Sequence, residues 1–554
     1  MSLHCRRLTP ATLLCFIAAT SVPAADEAPK PDHSQVPGVV IDHSPAASGL
    51  YIGSPSIAIL PDGAYVASHD FFGPKSTEHQ SAVSAVFRSE DRGLSWQRVA
   101  RIDGAFWSNL FVHQGRLYLL GVTRHHGLIV IRRSDDGART WTEPKDADSG
   151  LLTPQGEYHT GPMPMLMHNG RLWRAVEDAG GGTQWGVRYR PMMLSAPLDA
   201  DLMKADSWTR SNYLTRDPSW LDGQFLAWLE GNAVATPEGR VVDVLRVNGG
   251  PGGKAARVRI SDDGKMATFD PATGFIDLPG AAKKFTIRYD PQSKAYWSLV
   301  NPVPRKRGRE SLLHVYANRK PGSVRNTLAL VRSEDLEKWE IRCILLHHPD
   351  VVRHGFQYPD WQFDGGDLIA AIRTAYDDGL GGAHNAHDAN YLTFHRFARF
   401  RELTMADSVV DPAEIGRPPL VKIETPALVV EGRGIAVAKL ADGATAYGNR
   451  NYVWQEVPAK WQGWRYTQTC GGERAEIQLT ARQATEVYLA TAPSQEGIDL
   501  SGWTPVDGAT FQYTDRGRTA MAVYYHALKA GQTLSIPQGN WTGGLVLVPP
   551  EDGP

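Results

Sequence analysis

An eight-residue pattern, written out twice and echoed twice more, constrains this chain more than any other feature of it. Ser89-Glu90-Asp91-Arg92-Gly93-Leu94-Ser95-Trp96 recurs as Ser134-Asp135-Asp136-Gly137-Ala138-Arg139-Thr140-Trp141. Degenerate copies stand at Ser261-Asp262-Asp263-Gly264, followed by Phe269, and at Ser333-Glu334-Asp335, closed by Trp339. Each follows a strand-like run such as Val83-Ser84-Ala85-Val86-Phe87-Arg88. In such a turn Ser and Asp side chains bond backbone groups, Gly takes a positive φ, and Trp packs between sheets. The repeat therefore predicts many similar hairpins, each locked at its turn.

The region from about 50 to 405 agrees with this reading. Short apolar or alternating runs, such as Ser56-Ile57-Ala58-Ile59-Leu60 and Arg116-Leu117-Tyr118-Leu119-Leu120, are broken by Gly, Asp and Asn, and long helical periodicity is absent. A length of 554 residues predicts two to four domains. The formal net charge is −2 and no long Lys/Arg run occurs, which excludes an electrostatic footprint for nucleic acid.

The N-terminus reads as an export signal: Arg6 and Arg7, an apolar stretch from Ala11 to Ala19, then Val22-Pro23-Ala24. Residues 1–24 are expected to be cleaved, leaving a soluble, secreted or periplasmic bacterial protein with an N-terminal extension over 25–49 and no membrane insertion. Cys5 and Cys15 leave with the signal, and Cys343 and Cys470 are expected as unpaired, buried thiols. Asp411-Pro412 and Arg417-Pro418-Pro419 place a linker over 406–420. Beyond it, strand-like runs and the aromatics Tyr447, Tyr452, Trp454, Trp461, Trp464, Tyr466 and Trp541 predict a β-sandwich over 421–554. Those aromatics suit either sugar stacking or internal packing.

The repeated turn is similar to the Asp-box, S-x-D-x-G-x-T-W, and the chain resembles the sialidase-like superfamily of glycoside hydrolases. The resemblance implies an all-β fold: a six-bladed sialidase-like β-propeller over 50–405, followed by the C-terminal β-sandwich. Seven compact blades are the alternative. The family pairs a Tyr nucleophile with a Glu, uses an Asp acid/base, and clamps a carboxylate with three arginines. Trp228-Leu229-Glu230-Gly231-Asn232, leading to Leu245-Arg246, looks like the catalytic Glu and its clamp Arg. Arg325 stands before an Asp-box strand like the third Arg, and Gln357-Tyr358-Pro359-Asp360-Trp361 looks like the nucleophile segment. The resemblance thus implies Tyr358 activated by Glu230, with Arg246 and Arg325 as anion clamps. A neutral phenol approaches an anomeric centre beside an anionic group without charge repulsion. The chain departs from the family at Gly53-Ser54-Pro55-Ser56, where Gly53 stands in the place of the first clamp arginine. Glu78 is the first choice for the acid/base and Asp70 the second.

A polar cluster surrounds Gly379-Leu380-Gly381-Gly382: His354, Arg373, Asp377, Asp378, His384, His387, Asp388 and His395. His354, Asp360, Arg373, His384 and His387 are read from it as a substrate rim. His384-x-x-His387-Asp388 offers competent metal ligands, but the spacing fits no closed zinc motif, so no cofactor is expected, with calcium or another divalent ion left open. Tyr158-His159 and the run from Trp173 to Asp178 are further pocket candidates, read first as structural. The expected activity is an exo-acting, retaining glycoside hydrolase releasing a terminal sugar, acidic or neutral, from a glycan. A uronate-cleaving polysaccharide lyase and a non-catalytic glycan-binding propeller remain the alternatives.

Overall fold

The computed structural model describes residues 30–250, 252–303 and 319–550. The export signal read over 1–24 lies outside the described residues. Six antiparallel sheets occupy 39–397. The strands nearest the axis are joined by side chains in a closed ring. Ser56 Oγ donates to Asp360 Oδ2 at 2.7 Å and accepts from Leu110 N at 2.9 Å. Arg174 Nε donates to Asn109 Oδ1 (2.9 Å), Gly231 N to Glu177 Oε1 (3.2 Å), Ile287 N to Asn232 Oδ1 (2.9 Å) and Thr286 Oγ1 to the Pro359 carbonyl (3.0 Å). Each sheet thereby satisfies polar groups of the next, as burial at an axis demands. The architecture is a β-propeller, with apolar clusters between successive sheets.

The locked turns form as their residue types dictate. Ser89 Oγ accepts from Gly93 N at 2.8 Å, Asp91 accepts from Ser95 N and Oγ at 2.9 and 2.6 Å, and Trp96 Nε1 donates to the Gly93 carbonyl at 3.2 Å. The copy at Ser134 repeats this through Ala138 N, Thr140 and Trp141 Nε1. At Ser333 the turn persists without glycine, Leu336 taking φ 63°.

Two stretches outside the predicted strands pack onto the propeller. Val39–His43 pairs with Tyr391–Phe397, so the stretch read as an extension over 25–49 supplies an outer strand to the last sheet. The stretch read as a linker over 406–420 is partly anchored: Val409 N donates to the Ile344 carbonyl at 3.0 Å, and Ile415 is buried. In the C-terminal region a four-stranded and a seven-stranded sheet share one apolar core, a sandwich. There Tyr447, Trp454, Trp461 and Tyr466 are buried, and Tyr452, Trp464 and Trp541 pack against them. These aromatics fill a core, which removes the main support for a sugar-stacking face. Cys343 is buried, Cys470 is only partly so, and both are free. Among the described residues no helix is long and apolar enough to cross a membrane.

Candidate active site

Three axial strands, Phe106–His113, Phe225–Ala235 and Gly355–Asp364, lose register with their neighbours at Phe106/Asn109, Leu229/Asn232 and Gln357/Asp360. Inside each irregularity stands a non-glycine residue at positive φ: Trp107 at 49°, Glu230 at 56° and Tyr358 at 53°. Such conformations cost about 1–3 kcal/mol each and persist where their surroundings hold them. A bulge re-aims a side chain out of the alternating pattern. All three residues line one cavity of about 200 Å³.

Arg246 joins two of them. Its Nη1 donates to Glu230 Oε2 at 2.9 Å and reaches the Tyr358 hydroxyl at 3.4 Å. Burial opposes ionisation of Glu230, but the Arg246 guanidinium, with the Tyr358 hydroxyl, outweighs it and holds the carboxyl below its ordinary range. The guanidinium carbons of Arg373 and Arg325 lie 5.0 and 5.7 Å from the centre of the Tyr358 ring. Arg246 Nε, Arg325 Nε and Nη1, and Arg373 Nε are buried without a hydrogen-bond partner among the described residues. Unpaired guanidinium nitrogens at one place suit an anionic group. Burial, with Arg246 and Arg373 close by, pushes Arg325 down to about 10. Beneath the tyrosine, buried Lys284 donates to the Pro359 carbonyl at 2.7 Å and so supports the bulge.

The other end of the cavity is acidic. Asp70 Oδ1 accepts from Ser54 N at 2.7 Å and Oδ2 from Trp107 N at 2.5 Å. A Cβ on Gly53 would sit 1.6 Å from Asp70 Oδ1, so the carboxylate fills the space that any side chain at 53 would need. This is the physical reason Gly53 stands where an arginine was expected. Burial raises Asp70, and burial together with Asp70 pushes Glu78 up to about 7. His125, against Trp107 at 4.7 Å, is pushed down to about 3 by burial, with the Arg188 charge adding to it.

The structure thus brings together Tyr358, Glu230, Arg246, Arg325, Arg373, Asp70, Glu78 and His387, the last accepting from Arg373 through its carbonyl. Three predicted rim residues lie elsewhere. Asp360 is buried and spent on Ser56 Oγ and Ile57 N, closing the axial ring. His354 bonds Asp350 at 3.0 Å and stacks on His348 at 3.5 Å, away from the cavity lining. His384 is exposed beside Tyr51, outside the lining. No three His, Cys, Asp or Glu side chains among the described residues gather as a metal site, and His387 turns to Asp388 at 2.7 Å. Trp107, His125 and Trp185 also line the cavity and were not anticipated. Nothing local marks them, since a lone Trp after Phe reads as core, and only the tandem His125-His126 in a turn was a usable signal.

No protein-family model and no curated protein matches the chain. Among solved structures it is similar to an alpha-L-arabinanase of Penicillium chrysogenum complexed with arabinobiose, at 14% identity, covering 66% of this chain and 98% of that one, TM-score 0.40. A Dyadobacter fermentans protein of unknown function aligns at 15% identity over 66% and 98%, TM-score 0.43. Trypanosoma rangeli sialidase in complex with sialic acid aligns at 13% identity over 91% and 88%, TM-score 0.39. Similarity at this level leaves the chemistry to be read from the pocket's own side chains.

Proposed function

We propose that this chain is an exported, exo-acting glycoside hydrolase that retains configuration, with Tyr358 as nucleophile and Glu230 as its base. The observation that carries the reading is Arg246 holding Glu230 at 2.9 Å while reaching the Tyr358 hydroxyl at 3.4 Å. In the first step the phenol oxygen bonds the anomeric carbon as its proton passes to Glu230. The bond to the leaving group breaks, and Glu78, pushed up to about 7, gives that oxygen its proton. In the second step Glu78 takes a proton from water, the water oxygen replaces Tyr358 at the same carbon, and Glu230 returns the phenol proton. Asp70, with both oxygens engaged by backbone N–H groups, is supported as a fixed wall that keeps Glu78 protonated rather than as the acid itself. The unpaired nitrogens of Arg246, Arg325 and Arg373 favour a sugar carrying an anionic group.

The test is a panel of aryl glycosides of N-acetylneuraminate, D-glucuronate, D-galacturonate and L-arabinose, run on the wild type and Tyr358→Phe. The reading expects release of the aryl group by the wild type and its loss in the variant. Equal turnover in the variant, or a product absorbing in the near ultraviolet as an unsaturated uronate does, overturns it.

A further inference from the structure

His159 lines the same cavity but has no part in the reaction above. It lies directly opposite Glu177 across two paired strands, and its Nδ1 meets Glu177 Oε2 at 2.7 Å. Both side chains are buried, 3% and 0% exposed. Glu177 uses its other oxygen on the backbone N–H of Gly231, at 3.2 Å, directly after the bulged Glu230. The carboxylate at Nδ1 fixes the hydrogen there, and in the neutral imidazole this leaves Nε2 as an acceptor. The ring cannot turn away. It stacks on Tyr189 at 4.1 Å and meets the Trp107 ring edge-on at 4.4 Å. Among the described residues no hydrogen bond reaches Nε2. A rigidly held acceptor on a cavity wall is ready for a donor that fills the cavity.

We propose that His159, aimed by Glu177, is a substrate-contacting residue whose Nε2 accepts a hydrogen bond from one hydroxyl of a bound sugar. The proposal rests on the reading of this pocket as a sugar site. It makes the pocket selective for a hydroxylated ring at that position.

Calorimetry tests it on the full chain, with D-glucuronate, N-acetylneuraminate and L-arabinose as probes, followed by the set of monodeoxy forms of each one that binds. For the wild type, one monodeoxy form should bind about tenfold more weakly than its parent, the size of one hydrogen bond to a buried group. His159→Phe should weaken the parent sugar by a similar factor and leave that one deoxy form unchanged, whereas His159→Gln, which retains an acceptor, should recover part of the loss. A loss uniform over every deoxy form, no change in either variant, or no binding of any of the three sugars to the wild type overturns the proposal. Sugar binding with this signature but no turnover would sink the hydrolase reading alone. Turnover that depends on Tyr358 without the signature would sink only the role of His159.

Discussion

The two ends of the axial cavity handle a carboxyl group in opposite ways. At the tyrosine end Glu230 is buried yet held ionised, because Arg246 donates to it and the Tyr358 hydroxyl stands by. At the other end Glu78 is pushed up to about 7 by burial and by Asp70, with no Lys or Arg paired with it among the described residues and the His79 ring at 3.4 Å. One small cavity therefore holds one carboxyl ionised and the other protonated up to about pH 7. The difference is made by partners rather than by depth of burial, since both groups are desolvated.

Removing the tyrosine breaks the comparison most completely. Tyr358→Phe should lower kcat/KM by roughly 10³-fold or more, with Tm nearly unchanged, which steady-state kinetics and a melting curve check together.

Glu78→Gln probes the acidic end. Turnover should fall by roughly 10²–10⁴-fold for poor leaving groups, and the decline in wild-type rate as pH rises through about 7 should vanish. Stability carries the same sign. A carboxyl raised from 4.5 to about 7 favours the folded state below its unfolded value and loses that contribution as pH climbs through the interval. The wild type should lose on the order of 1–3 kcal/mol from this group, and Glu78→Gln should lose none of it.

Gly53→Ala tests how tightly Asp70 is seated. A Cβ at 1.6 Å from Asp70 Oδ1 forces a shift, so stability should fall by roughly 1–3 kcal/mol. Adding Asp70→Ala should recover much of that loss in chemical denaturation. The smallest effect belongs to the outer turns: Asp91→Ala removes the acceptor for Ser95 N and Oγ and should lower Tm slightly while leaving kcat and KM alone.

How much of this was legible follows from how local each feature is. The turn at Ser89–Trp96 is set by residues within eight positions of one another, so its residues gave both the hairpins and the wheel they build. Tyr358, Glu230 and Arg246 were legible because each sits in a recognisable strand segment, although their meeting is a long-range fact. Asp360 misled for the same reason. An acid two places after a tyrosine looks functional until its partner Ser56, 304 residues away, is seen to claim it. Trp107 was hidden because only its positive φ turns it from core toward the cavity, and a bulge leaves little trace in residue types. The C-terminal aromatics were legible as a cluster but not as a core, since clustering alone does not tell an exposed face from a buried one.

Trapping the sugar on the protein tests the central claim most directly. The wild type is incubated with 2-fluoro-D-glucuronosyl, 3-fluoro-sialosyl and 2-fluoro-L-arabinosyl fluorides, digested, and its peptides weighed. The account predicts one added fluorosugar on the peptide containing Tyr358, absent from Tyr358→Phe and accumulating more slowly in Glu230→Gln. An adduct on Glu230 or Glu78, or turnover of the same sugar's aryl glycoside with no adduct at all, would contradict it.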